Sequence, residues 1–141
     1  MTMEDIIAIP PAPTRQSAPY WEACNRGELL LAKCNDCTRP FYYPRILCPH
    51  CGSRNLGWLK ASGTGTVWSF THVQVSFYGK RWESQLPYTP VLIDLDEGVR
   101  MLSRLIGEGR DAVNIGDRVR VEFIECEKQN IPYFTLAGTQ R

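Results

Sequence analysis

The chain has 141 residues, 43% of them apolar and 22% charged, with a formal net charge of +1 at pH 7. That length suits one ordinary domain, or one small domain beside a compact module. The near-zero charge excludes the basic excess of a protein built to neutralise a phosphate backbone. The sequence shows no apolar leader and no long hydrophobic run. Its six cysteines, four in a metal-binding pattern, fit a reducing compartment, so a cytoplasmic setting away from the membrane is expected.

Residues 1–16 carry Pro10, Pro11 and Pro13 without periodicity and read as an extended arm, ordered only against something else. A short helix follows, with Ser17 placed to cap, Pro19 suited to the first turn and Gly27 to end it. It carries Tyr20 and Trp21, two rings too large for a short helix to bury against itself. They are expected to dock on this domain or on a partner. Glu28 to Lys33 reads as a strand leading into the first cysteine pair.

Cys34-Asn35-Asp36-Cys37 and Cys48-Pro49-His50-Cys51 each have the C-x-x-C spacing of a metal knuckle, with ten residues between the pairs. Four thiolates form the closed tetrahedral shell that Zn²⁺ takes in structural sites, leaving no open position for substrate or activated water. The short spacer favours a compact rubredoxin-like ribbon over the more widely spaced four-cysteine pattern. A redox role for either pair would need a helix opening at it, and Pro40, Pro44 and Pro49 disfavour one. A ribbon this small would draw its folding free energy from the metal, on the order of 10 kcal/mol. Cys24 and Cys126 have no C-x-x-C partner and read as small buried or half-buried residues.

Beyond the second knuckle the hydrophobic period becomes two. Gly63 to Val73 is a first strand. Val91–Leu95 and Val99–Ile106 flank the turn Asp96-Glu97-Gly98, and Arg118–Phe123 and Tyr133–Ala137 complete the series after a turn at Ile115-Gly116-Asp117. Five strands without a long amphipathic helix predict a small Greek-key barrel, with an OB-fold as the leading candidate. The chain is therefore read as mainly β. Residues 1–27 form the arm and short helix, 28–60 the rubredoxin-like zinc ribbon and 61–141 the five-stranded OB-fold barrel.

The longest irregular stretch, from Ser76 to Thr89, gathers Phe77, Tyr78, Lys80, Arg81 and Trp82. Loops of this length in compact domains tend to be functional. Its rings could stack on a planar ligand and its cations pair with phosphates, or the rings could simply pack on the barrel mouth; both readings stay open. No catalytic constellation stands out. His50 reads as an exposed knuckle residue, His72 as a hydrogen-bonded histidine on a strand, and Asp94, Asp96 and Glu97 as carboxylates pointing apart into water. Arg118 and Arg120 read as a solvated strand face, and Arg100 is kept as an anion-binding candidate.

Taken in order, Tyr20-Trp21-Glu22, Gly27-Glu28-Leu29, Cys34-x-x-Cys37, Cys48-Pro49-x-Cys51-Gly52, Gly63-x-Gly65-Thr66-Val67, Leu95-Asp96-Glu97-Gly98-Val99-Arg100 and Ile115-Gly116-Asp117-x-Val119 resemble a known family. It is the acyl-CoA-associated zinc-ribbon/OB-fold group, first catalogued as a domain of unknown function. The likeness runs from about Tyr20 through nearly the whole chain. Thr38 departs from it, where the family often has glycine after the first knuckle. The resemblance implies a non-catalytic accessory subunit of a thiolase or thiolase-like aldolase, or of a hydratase of the hotdog fold. The partner would hold the nucleophile and the acid–base residues. Coenzyme A or acyl-CoA would be a shared ligand, with Phe77, Lys80, Arg81, Trp82 and Arg100 as contact candidates and Tyr20 and Trp21 as docking candidates. Two alternatives come from other classes. A single-stranded nucleic-acid module would use the interleaved aromatics and cations but lacks a basic stripe. An electron carrier would hold iron in the same four-thiolate site.

Overall fold

Helix α1 (Ala18–Asn25) begins at Ser17, but the serine hydroxyl does not cap it; it accepts the Thr14 N–H at 2.8 Å, tying the arm to the helix start. The helix ends in a Schellman motif. Gly27, at φ 76°, donates to Cys24 O and Glu28 donates to Ala23 O. In this computed structural model, which describes residues 6–137, two β-sheets follow. Residues 1–5 and 138–141, assigned from sequence to the arm and the barrel, lie outside the described residues.

The first sheet has the order β2-β1-β3, from β1 (Leu30–Cys34), β2 (Pro40–Phe41) and β3 (Leu56–Lys60), with both neighbours of β1 antiparallel to it. β3 was not legible from sequence, because Leu56-Gly57-Trp58-Leu59-Lys60 lacks a clean alternation. It is a strand because β1 offers it a five-pair ladder, from Leu30↔Lys60 to Cys34↔Leu56.

The second sheet closes into a barrel of order β4-β5-β6-β8-β7, built from β4 (Thr64–Phe70), β5 (Thr89–Leu95), β6 (Arg100–Leu105), β7 (Arg118–Cys126) and β8 (Gln129–Leu136). This is the OB-fold expected, with each predicted strand found within a few residues of its place. Strands β6 and β8 run parallel and pair at Leu105↔Phe134, closing the cylinder. Gly65 permits the tight seam between β4 and β5, since a Cβ there would lie 2.7 Å from both Asp94 O and Ile93 Cγ2. Val67, Val91, Ile93, Met101, Leu105, Val119 and Phe134 fill the interior, each 1% exposed or less. Full burial of such side chains contributes roughly 1.5–3 kcal/mol apiece.

That core does not stop at the barrel. Tyr20, Cys24, Leu29 and Leu31 belong to the same buried cluster. Tyr20 is 1% exposed, its ring 6.0 Å from that of Tyr42 and 5.7 Å from that of Tyr43. The expectation that Tyr20 serves partner docking is thereby corrected: the ring is consumed by the chain's own interior, and only the half-buried Trp21 presents surface. Trp21 Nε1 donates to Tyr43 Oη at 2.8 Å, locking helix to ribbon. The arm is ordered as well, but against this barrel. Ile7 N donates to Gln85 Oε1 (3.0 Å), Cys126 Sγ donates to Ala8 O (3.0 Å), and Ala8 is 3% exposed.

The three acidic residues of the β5–β6 hairpin bind three different partners, although Asp94 and Asp96 also stay open to solvent. Asp94 accepts from Arg100 Nε at 2.7 Å, and Ser62 N donates to Glu97 Oε2 at 2.8 Å. Asp96 takes a two-pronged bond from Arg118, at 2.8 Å for each nitrogen, which staples the hairpin to β7. The Arg118 bond, seconded by the Thr64 hydroxyl, holds the Asp96 carboxyl well below the usual carboxylate range. A carboxyl depressed on folding stabilises above its unfolded value of about 3.9 and loses that contribution as pH falls through the folded value. Asp96→Asn is therefore expected to melt below the parent protein at neutral pH, the gap closing in acid. A gap independent of pH in thermal melts would contradict the staple.

Strands β7 and β8 are joined by Glu127-Lys128 alone, both at positive φ (50° and 69°), as a two-residue type I′ turn requires. Neither residue suits that conformation. Replacing the pair with Asn-Gly should raise unfolding free energy by about 1 kcal/mol in denaturant titrations; no gain would mean that the turn carries no strain.

Candidate metal centre and ligand-facing loop

Cys34 is the last residue of β1, and its ladder with β3 places the thiol beside the loops that present the other three. The four sulfurs lie within 4.8 Å of one another, with Cys34 Sγ 3.6 Å from Cys51 Sγ and Cys37 Sγ 3.7 Å from Cys48 Sγ. A tetrahedron with Zn–S bonds of about 2.3 Å has edges of about 3.8 Å, so the set fits one structural zinc ion. Backbone donors favour the thiolate at Cys34 and Cys48, while at Cys37 and Cys51 they are outweighed by burial and the neighbouring sulfurs, which push those thiols up. Cys37 N points at Cys34 Sγ (3.4 Å) and His50 N at Cys48 Sγ (3.3 Å). The Cys37 N–H bond leads in lowering the Cys34 thiol to about 6. Burial opposes ionisation of Cys48, but the His50 and Cys51 N–H groups carry it below the ordinary thiol value.

His50 is exposed and stands beside Arg39, Nδ1 to Nη1 3.5 Å, outside the sulfur set. Cys24 and Cys126 take no part either; burial pushes the Cys24 thiol up to about 12. The two knuckles share a backbone requirement. The residue after each second cysteine turns left-handed, Thr38 at φ 68° and Gly52 at φ 79°. Glycine meets that demand freely, whereas a β-branched residue is strained there.

The 76–89 loop is partly regular: Lys80–Gln85 forms a 3₁₀ helix, and a Val73↔Tyr88 bridge closes the loop base. Phe77 and Tyr78 stand out at 91% and 76% exposure, and Lys80 and Arg81 are exposed beside them. Trp82 lies half-buried with its ring 5.9 Å from that of Tyr88. Four of the five candidate CoA contacts thus share one loop. Arg100 lies apart, bonded to Asp94 and stacked 3.7 Å over Trp68, lining a depression that Arg45 and His50 share. His72 Nδ1 sits 2.8 Å from Thr89 Oγ1, and among the described residues no acid–base partner bonds it. Tyr88 and Tyr133 were not singled out from sequence, and Arg104 was read only as sharing a strand face with Arg100, yet the three meet Trp82 around one cavity. The spacing of Arg100, Leu102 and Arg104 placed Arg104 on the outward face of β6, but nothing local marked it as covered.

Comparison with known proteins matches both parts of the chain. Residues 21–57 match the family model described as the ChsH2 rubredoxin-like zinc ribbon domain, and residues 58–123 the ChsH2 C-terminal OB-fold domain. A DUF35 domain-containing scaffold protein of Methanothermobacter thermautotrophicus is 31% identical over 74% of this chain and 77% of its own length. A protein of Thermomonospora curvata named "Probable enoyl-CoA hydratase alpha subunit" is 31% identical over 92% of this chain. This chain spans only 40% of that relative's length. Among solved structures, a chain of the Ltp2-ChsH2(DUF35) aldolase superposes with a TM-score of 0.77 at 30% identity, covering 91% of this chain and 99% of that one.

The strain at Thr38 makes a directional test. With zinc bound, Thr38→Gly should stabilise the protein by about 1 kcal/mol and Gly52→Thr should destabilise it by at least as much. Denaturation midpoints moving in the opposite sense would show that the two knuckles do not share this backbone requirement.

Proposed function

The chain belongs to the ChsH2 (DUF35) family of rubredoxin-like zinc ribbons joined to OB-folds, and from that premise we propose that it is a non-catalytic accessory subunit of an acyl-CoA-processing enzyme. The partner in this reading is a thiolase or thiolase-like aldolase, which carries the nucleophile and the acid–base groups. The observation behind it is the superposition on a chain of the Ltp2-ChsH2(DUF35) aldolase over nearly the full length of both chains. The hydratase subunit among the relatives keeps a hotdog-fold hydratase as the second partner class.

The chemistry of the chain supports an accessory role. The four thiolates close the metal shell, so the zinc supplies folding energy and rigidity and has no position for substrate. His72, Asp94, Asp96 and Glu97 are taken up by structural bonds. What remains is surface. Trp68 and Leu102 are 47% and 59% exposed on the outside of the barrel, an apolar face suited to a partner subunit, and the half-buried Trp21 presents a further ring at the surface.

In this proposal the 76–89 loop meets coenzyme A. Phe77 and Trp82 offer ring faces to the adenine, while Lys80 and Arg81, exposed at the loop tip, pair with the phosphates. Arg100 contributes least, since Asp94 already neutralises it. The chain thus shapes part of a binding site whose reacting end lies in the partner.

Affinity capture of the native complex is expected to recover an acyl-CoA enzyme of the thiolase, aldolase or hydratase class in near-equal amount, identified by mass spectrometry. In the purified complex, combined Lys80→Ala and Arg81→Ala substitution should leave assembly intact and weaken CoA binding about twofold to thirtyfold, exposed ionic contacts being worth roughly 0.2–1 kcal/mol each. Capture without any acyl-CoA enzyme would reject the accessory role. An unchanged CoA affinity would reject the loop contact alone.

A further inference from the structure

Beneath the 76–89 loop a cavity of about 270 Å³ opens on the outside of the barrel. Its walls are aromatic, formed by Tyr78, Trp82, Tyr88 and Tyr133, with Ile9 of the arm at the rim. Among the described residues Arg104 is the one charged residue in the lining, and it is only 8% exposed.

The bonding of that guanidinium is incomplete. Nη1 donates to Ile7 O at 3.1 Å and Nη2 to Gln85 Oε1 at 2.9 Å, both neutral acceptors. Nε is buried without any partner. The rings of Tyr88 and Tyr133 each stand 5.6 Å from Cζ, offering their negative faces. No carboxylate pairs with Arg104 among the described residues, whereas Arg100 and Arg118 each have an aspartate at bonding distance. A buried cation is costly without a counter-charge; none is present among the described residues, and this one stands at the wall of an open aromatic cavity. Burial pulls the guanidinium below its usual value, though arginine remains charged.

We propose that this cavity binds a small organic monoanion, an apolar body bearing one carboxylate, with the body against the four rings and the carboxylate drawn to Arg104. One cation, with no second basic group among the described lining residues, suits one negative charge better than a phosphate dianion. The apolar walls suit a hydrocarbon or aromatic body, and the volume admits a compact molecule rather than a whole nucleotide-bearing cofactor. The site shares Trp82 with the CoA proposal, but its anion contact, Arg104, is a residue that proposal does not use, so the Arg104 variant tests this reading and the Lys80 and Arg81 variants test the other. The arm and the loop both close over it, so occupancy would also hold those two segments on the barrel.

The test is calorimetric titration of the zinc-loaded full chain with octanoate and with its neutral isostere octanamide. Octanoate is expected to bind about tenfold or more tightly than octanamide, the difference a charge-assisted bond makes. Arg104→Met should remove that preference while leaving octanamide affinity unchanged. Because Arg104 also holds the arm, Tyr78→Ala serves as a second variant at an exposed side chain, expected to weaken both ligands alike and preserve their ratio. Failure of octanoate to bind saturably at millimolar concentration would overturn the proposal. Equal affinity for the two ligands would do so too, as would a carboxylate preference that survives in Arg104→Met.

Discussion

Four sulfurs gathered within 4.8 Å cannot all ionise unless a cation stands between them, and the N-terminal half of the molecule is arranged around that requirement. Satisfying it brings β1 into register with β2 and β3, because Cys34 ends β1 while its three companions lie on the loops that flank β2. Strand geometry then divides β1 between two interiors. Ala32 and Cys34 face a small cluster around the sulfurs with Phe41 and Cys48, while Leu29 and Leu31 join the cluster that fills the barrel. The ribbon is therefore no appendage. Its first strand is a wall of the main core, and the metal holds that wall in place.

The aromatic group Tyr20, Trp21, Tyr42 and Tyr43 makes the same connection from the other side. Edge-on contacts of the Tyr20 ring with Tyr42 at 6.0 Å and Tyr43 at 5.7 Å tie the helix to the segment after β2, and the Trp21–Tyr43 hydrogen bond fixes their orientation. Asn130 completes the frame from the barrel, donating its side-chain amide to Cys24 O at 3.2 Å while its backbone N–H donates to Asn25 Oδ1 at 2.8 Å. Helix, ribbon and barrel are held as one body by a few polar contacts laid over a continuous apolar interior. Such rigidity serves a chain whose proposed work is to present surface to a partner.

The outer face of β6 shows how that surface is differentiated. Arg100, Leu102 and Arg104 follow one another at strand spacing on the same face, yet they meet three fates. Arg100 is paired with Asp94 over Trp68, Leu102 is open to solvent, and Arg104 disappears beneath the arm and the 76–89 loop. Nothing within β6 distinguishes them. The segments that cross the barrel do, and they come from residues some 97 positions away in the one case and 19 in the other.

Whatever depends on neighbours in the chain was legible before any coordinates. The cysteine spacing specified the metal ligands, because a knuckle needs two thiols across one tight turn. Period-two alternation located five barrel strands, and Gly27, Gly98 and Gly116 marked places where the backbone adopts positive φ. Ordered motifs pointed to the family that the comparisons then matched. Other features were decided by distant partners. β3 is a strand only because β1 offers it hydrogen bonds, and Glu127-Lys128 turns left-handed only because the flanking ladder forces it. Tyr20 had to dock on this domain or on a partner because a short helix cannot cover such a ring, and the ribbon and barrel are what cover it. Arg104 became a buried cation through the same kind of long-range closure. Local spacing determines which residues can form an element or a ligand set, but burial is a property of everything that packs against a residue, and only the tertiary structure assembles that company.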